Sequence, residues 1–159
     1  MGTANLDDQG VIIPCAQCGQ KNRLMYGRLG DAVRCAACKT MLGAPAEPIE
    51  VDSSAHFDAL VANTSLPVVV DYWAPWCGPC RMVAPELQKV ASRQAGRFLV
   101  VKVNTDELND LGQRFNIRSI PTLAVFHGGR EVGRISGARP ASDIEKFVDQ
   151  AASKVGTQK

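Results

Sequence analysis

An α/β fold is predicted, a central mixed sheet flanked by helices, preceded by a small module too poor in apolar residues to stand alone. Three observations predict it. Beyond residue 48, helix-like and strand-like segments alternate in the order βαβαβαββα or close to it, the pattern of a mixed sheet covered on both faces. Gly43, Ala44, Pro45, Ala46 and Pro48 interrupt any regular element, so residues 43–49 read as a linker between residues 1–42 and 50–159. All six cysteines fall in three Cys-x-x-Cys pairs, Cys15/Cys18, Cys35/Cys38 and Cys77/Cys80.

Taken in order, the N-terminal module holds few large apolar side chains, among them Val11, Ile12, Ile13, Leu24, Tyr26 and Leu29. A unit of this size usually needs a metal or disulfide staple. Extended stretches at Lys21–Tyr26 and Asp31–Arg34, joined through Gly27 and Gly30, predict a small β-hairpin ribbon. After the linker, Ser53 and Ser54 cap an amphipathic helix carrying Phe57, Leu60 and Val61. Leu66–Trp73 is a β-rich apolar run opened by Pro67, a buried strand. A helix follows from Cys77 to about Gln94, with Met82, Val83, Leu87 and Val90 at helical spacing and a kink at Pro85. Phe98–Val103 reads as a strand and Asp106–Phe115 as a short helix. Thr122–Phe126 and Val132–Ile135 flank His127-Gly128-Gly129-Arg130, a hairpin signature. Ser142–Ala152 is a closing helix with Ile144, Phe147 and Val148 on one face.

Composition narrows the function. The chain has 159 residues, 45% hydrophobic and 21% charged, which is globular. No run approaches the roughly 18 apolar residues of a spanning helix. The N-terminus, MGTANLDDQG, lacks the basic and apolar regions of a secretory signal. A formal charge of +2 argues for neither nucleic acid nor membrane as a partner. With unsecreted, closely paired cysteines, the expectation is a cytoplasmic monomer using metal or redox chemistry.

The first two pairs are separated by 16 residues, the four-thiolate zinc spacing. Thiolates suit a borderline-soft tetrahedral ion, and Cys15, Cys18, Cys35 and Cys38 would close its shell, making the site structural. Two small disulfides or free thiols are the alternatives; the spacing resembles neither ferredoxin pattern. Lys21, Arg23, Arg28, Arg34 and Lys39 face Asp7, Asp8, Asp31 and Glu47. A zinc–tetrathiolate centre adds two negative charges, so no phosphate-binding surface is expected.

The third pair lies in Val-Val-Val-Asp-Tyr-Trp-Ala-Pro-Trp-Cys-Gly-Pro-Cys-Arg, residues 68–81, where a buried strand runs into a helix. Cysteines at i and i+3 on a first helical turn stand about 5–6 Å apart at Cβ, close enough to bond. Cys77 meets the unpaired N–H groups and positive dipole end, which favour its thiolate and make it the nucleophile; Cys80 resolves. Pro79 stiffens the first turn at little cost. Asp71, six residues upstream of Cys77, is either turned to solvent or buried with a raised pKa; beside redox cysteines it can take the proton of Cys80. Lys102 either modulates Asp71 as its ionic partner or is an edge-strand lysine facing water. Trp76, a flat apolar residue beside the nucleophile, suits protein docking. His56 and His127 lie near no motif and are read as neither ligands nor catalytic groups.

Trp76-Cys77-Gly78-Pro79-Cys80 and Ile120-Pro121-Thr122 resemble the active-site motif and cis-proline signature of the thioredoxin family. Asp71, Trp73 and Pro85 match its buried aspartate, tryptophan and helix-kink proline, and Gly137 resembles the glycine lining its substrate groove. Tyr72 departs from the more usual phenylalanine, and its hydroxyl needs a partner if buried. The resemblance covers residues of about 50–155; with the double Cys-x-x-Cys, the whole chain resembles the zinc-containing thioredoxin 2 type. It implies a thioredoxin fold with an N-terminal zinc ribbon, and protein-disulfide reduction recycled by an NADPH-dependent thioredoxin reductase. It further implies a cis Pro121 that shapes the groove with Trp76, Gly78, Pro79 and Gly137 and leaves the Ile120 backbone free for an extended substrate. Catalysis then needs no cofactor, and zinc is structural, one per chain. Two other classes remain: a zinc-ribbon binding module, and a redox-sensing zinc protein or chaperone in which oxidation releases zinc.

Overall fold

The computed structural model describes residues 4–157. The second segment builds a five-stranded sheet from β6 (Ile49–Glu50), β7 (Val68–Trp73), β8 (Leu99–Asn104), β9 (Thr122–His127) and β10 (Arg130–Ser136); β1 to β5 belong to the N-terminal module. Its order is β10-β9-β7-β8-β6, with β6, β8 and β7 parallel and β9 and β10 antiparallel to their neighbours. Four helices, α1 (Ser54–Asn63), α2 (Gly78–Arg93), α3 (Asn109–Arg114) and α4 (Ala141–Thr157), complete the order βαβαβαββα. The opening strand of that order straddles the end of the expected linker: Ile49, the last residue of that linker, pairs with Val101 despite the prolines before it, and Glu50, the first residue of the expected domain, pairs with Lys102.

Strand alternation sorts the core into two layers. Val68, Val70, Tyr72, Val101 and Phe126 point to the side of α1, while Val69, Val100, Leu123 and Val125 meet Val83, Leu87 and Val90 of α2 and Ile144 and Val148 of α4. Phe57, Phe115 and Phe126 pack edge to face, with centroids 5.2–5.9 Å apart. Ser53 caps α1 by accepting the His56 N–H at 3.1 Å. Met82 is 69% exposed and does not join the α2 core stripe. That stripe runs Val83, Leu87, Val90, at i, i+4 and i+7, and Met82 falls beside it. The short helix starts at Asn109, not Asp106, because the Asn104 side chain accepts the N–H groups of Asp106 and Glu107 and holds a turn there. No helix among the described residues is long and apolar enough to cross a membrane.

In the N-terminal module, β1 (Asn5–Leu6), β2 (Gly10–Pro14) and β3 (Lys21–Met25) form an antiparallel sheet, and β4 (Val33–Arg34) pairs with β5 (Met41–Leu42). The expected ribbon is therefore two hairpins, each closed by its own cysteine pair, rather than one between the stretches 21–26 and 31–34. A Cys-x-x-Cys knuckle reverses the chain within a few residues, so each strand pairs across its nearest knuckle. Gly10 has no room for a side chain: a Cβ there would lie 2.2 Å from the Leu24 carbonyl oxygen. Leu6, Val11, Leu24, Tyr26, Leu29 and Leu42 are buried in the same cluster as Ile49, Phe57 and Leu60. The core-poor module thus completes its core on the sheet and α1.

Tyr72 is fully buried, and its hydroxyl has no hydrogen-bond partner. Leaving a buried polar group unpaired costs about 1–3 kcal/mol. Tyr72→Phe is expected to leave disulfide exchange unchanged and to raise the unfolding free energy by about 1 kcal/mol in a denaturant titration.

Candidate active site and metal-ligand cluster

β7 delivers the redox pair. Its last residue, Trp73, leads into a turn in which the Cys77 N–H donates to the Ala74 carbonyl at 3.2 Å. Cys77 is the N-cap of α2, and its Sγ accepts the Cys80 N–H at 3.2 Å. A sulfur occupies the place a serine or aspartate oxygen usually takes, where N–H donors and the helix dipole stabilise negative charge. Cys77 and Cys80 are joined by a disulfide, their Cα atoms 5.3 Å apart, and both are buried. Gly78 and Pro79 form the start of the helix between them.

Trp76 stands beside the pair, 68% exposed, its indole N–H donating to Asp106 at 3.3 Å. A groove of about 680 Å³ runs along α3 from Trp76 to Ile120. The Ile120–Pro121 peptide is cis, and the Pro121 carbonyl accepts the Gly137 N–H at 2.9 Å. The structure thus brings Trp76 and Ile120 to one groove and ties Gly137 to Pro121. Asn109, Gln113 and Arg118 also line that groove. Sequence reading missed them; the i, i+4 polar spacing of Asn109 and Gln113 was the available signal.

Asp71 is fully buried on the α2 side of the sheet, and neither carboxylate oxygen has a hydrogen-bond partner. Burial pushes its pKa from 3.8 up to about 7; Lys102 pulls against that rise and Glu50 adds to it. Lys102 forms no ion pair with Asp71, nor is it on an edge strand. β8 lies between β7 and β6, Lys102 is half-buried, and its Nζ sits 4.6 Å from the centroid of the Trp73 ring. The aromatic face draws the ammonium along the sheet surface.

The four N-terminal sulfurs lie within 4.8 Å of one another, a cluster able to hold a metal ion. Cys15 and Cys38 approach to 3.7 Å, as do Cys18 and Cys35. The two knuckles repeat each other: Cys15 O accepts the Gly19 N–H and Cys35 O accepts the Lys39 N–H. Gly19 and Lys39 both take positive φ, 81° and 67°, and only glycine does so freely. Asn22 spans the site, donating to Cys35 Sγ at 3.5 Å and accepting the Ala36 N–H at 3.0 Å. Cys38 contacts the Thr40 hydroxyl at 3.2 Å. The backbone N–H of Cys38 leads in pulling the Cys35 thiol down to about 6, against burial and with help from Asn22. Neither Asn22 nor Thr40 stood out in the sequence, since both lie outside the Cys-x-x-Cys spacing.

Residues 48–150 match the family model described as thioredoxin. Thioredoxin C-3 of Corynebacterium nephridii is 41% identical over 140 residues, covering 88% of this chain and 94% of that protein. A thioredoxin of Synechocystis sp. is 48% identical over 100 residues, covering 60% and 94%. Among solved structures, a mutant thioredoxin from Halobacterium salinarum superposes with a TM-score of 0.62 at 28% identity, covering 68% of this chain and 93% of that one. A dithiol that opens and closes a bond at the head of a helix is the working part of a thiol–disulfide oxidoreductase, and these relatives put the chain in that class. More narrowly, the chain belongs to the thioredoxin family.

The raised Asp71 pKa carries a stability consequence. Between pH 3.8 and about 7 the folded chain holds a proton that the unfolded chain has lost, so Asp71 costs stability as pH rises through that window. Asp71→Asn is expected to stabilise the oxidised protein by about 2–4 kcal/mol at pH 8 and by far less at pH 4, read from denaturant unfolding at both values. In the second knuckle, Lys39→Gly should raise stability by about 1 kcal/mol by relieving the positive φ, read from thermal unfolding.

Proposed function

We propose that this protein is a protein-disulfide reductase. The observation that carries the reading is Cys77 Sγ at the N-cap of α2, accepting the Cys80 N–H. In the reduced protein the Cys77 thiolate attacks a substrate disulfide, forming a mixed disulfide and releasing one substrate thiolate. Asp71 takes the proton of Cys80, and the Cys80 thiolate attacks Cys77 Sγ. The second substrate sulfur leaves with the electron pair, and Cys77–Cys80 closes. Trp76, Gly78, Pro79, Ile120, Pro121 and Gly137 form the docking surface for an extended substrate, and Lys102 modulates Asp71. A thioredoxin reductase with NADPH returns the two electrons, so the dithiol needs no cofactor of its own.

Residues 1–42 act as a zinc-ribbon module joined by 43–48 to a thioredoxin domain that opens with β6 at Ile49. Sulfurs about 2.3 Å from a central zinc form a tetrahedron with edges of about 3.8 Å. Two of the six separations, at 3.7 Å, match those edges, and all four sulfurs lie within 4.8 Å of one another. Cys15, Cys18, Cys35 and Cys38 would hold the ion, which supplies a closed cross-link and no open position for chemistry. Free thiols in such a cluster fit a reducing compartment, in the simplest case the cytoplasm. One observation favours a second reading, a redox sensor: Cys18 is exposed to oxidants. Peroxide would then release zinc and loosen residues 1–42 to protease; retention of both metal and protease resistance removes that reading.

The reductase reading is tested with thioredoxin reductase, NADPH and a disulfide-bonded protein. Steady NADPH oxidation is expected, falling at least about 10³-fold in Cys77→Ser. Cys80→Ser should accumulate the mixed disulfide, visible as a mass adduct. About one zinc per chain is expected in the same preparation, and none after replacing Cys15 and Cys35. Activity surviving Cys77→Ser would overturn the enzyme mechanism.

A further inference from the structure

β6, β8 and β7 run parallel, with Glu50 opposite Lys102 and Lys102 opposite Asp71. Register partners on adjacent strands place their side chains on one face. An acid, a base and an acid therefore line up across three strands, about 9–10 Å from end to end. The row crosses the α2 face, since Ile49, Val70 and Val101 on either side of it along the strands point into the opposite layer. Its two ends differ. Asp71 is sealed, while Glu50 and Lys102 line a solvent-connected cavity of about 520 Å³ with Glu47, Pro85 and Gln88.

We propose that Glu50 is a positioning residue for the proton on Asp71: it shares the Lys102 ammonium with Asp71 and so sets the pH at which Asp71 releases its proton. This rests on the reading of Asp71 as the group that takes the Cys80 proton. In that step the Cys80 S–H proton passes to the Asp71 carboxylate, the Cys80 thiolate takes Cys77 Sγ, and the substrate sulfur leaves with the bonding pair. Asp71 must then lose its proton before the next turnover, and the Lys102–Glu50 end of the row is the end that meets solvent.

The charges around Asp71 fix the sign. Lys102 of β8 favours its ionised form and Glu50 of β6 opposes it. On the β9 side its partner is the apolar Leu123, and the α2 wall of the cavity offers only Ala84, Pro85 and Gln88. Glu107 bears on Glu50, with Glu47 at the cavity rim. An ionised Glu50 draws on the same ammonium and adds its own negative field, so it holds the proton on Asp71. The Glu50 carboxyl is itself raised, chiefly by burial, with Lys102 opposing. Glu50 itself is exposed on the edge strand β6, at the solvent end of the row.

The test follows the Asp71 carboxyl by ¹³C NMR in the full-length oxidised chain, where Cys77 and Cys80 do not titrate; Asp71→Asn assigns the resonance. Glu50→Gln is expected to lower the Asp71 midpoint by about one pH unit, the size of one charge at this distance at an effective dielectric of about 20. Glu50→Asp should restore part of that difference. In a Lys102→Gln background the Glu50→Gln shift should be smaller, because only the direct field of Glu50 on Asp71 remains. An unchanged midpoint in Glu50→Gln overturns the proposal, and an undiminished shift without Lys102 overturns the sharing. The Asp71 reading fails separately, if Asp71→Asn leaves the rate of mixed-disulfide resolution unchanged.

Discussion

The reactive end of this molecule depends on one strand. β7 is hydrogen-bonded on both sides and buried along almost its whole length. Its pairing with β8 and β9 decides which of its side chains face α2. A slip of one residue would send Asp71 to the α1 layer and turn Tyr72 toward the helix that carries the cysteines. The same strand ends where α2 begins, so its register also sets where Cys77 caps the helix. The buried carboxyl group and the dithiol are positioned by a single ladder.

That ladder stores an unfavourable term on each side of the sheet. Asp71 lacks a hydrogen-bond partner on one face and the Tyr72 hydroxyl lacks one on the other. The physical cost is alike, but the surroundings are not. Lys102 and Glu50 bear on the Asp71 carboxyl, whereas Glu131, Arg134 and Arg114 bear on the Tyr72 hydroxyl. On the proposed mechanism, desolvation serves the exchange only in the first setting, because a carboxyl pushed up to about 7 can both take and return a proton at neutral pH.

Much of this was legible in the sequence. The strand run at residues 68–73, the capping serine at 53, the glycine pair at 128–129 and the Cys-x-x-Cys spacings are local signals, and local rules read them. Three features were not local. β6 is two residues long and exists because β8 offers it an edge, so Ile49 reads as the end of the linker. Lys102 reads equally as a partner of Asp71 or as an edge lysine, because strand order is not written in strand composition. The hairpin partners in the N-terminal module were mispaired because each knuckle's reversal depends on backbone geometry at Gly19 and Lys39. Asn22 and Thr40 carry no local signal, because their relevance is spatial.

The merged core of the two halves has a thermodynamic consequence. Leu24, Tyr26 and Leu29 share one cluster with Phe57 and Leu60, so the cysteine-rich hairpins and the redox sheet draw on the same buried surface. A ligand held only by folded chains adds its binding free energy to the whole cooperative unit, about 4 kcal/mol at a thousandfold excess over Kd. A metal ion clasped by Cys15, Cys18, Cys35 and Cys38 would therefore make the melting temperature of the distant dithiol domain a function of free metal concentration, without touching the dithiol.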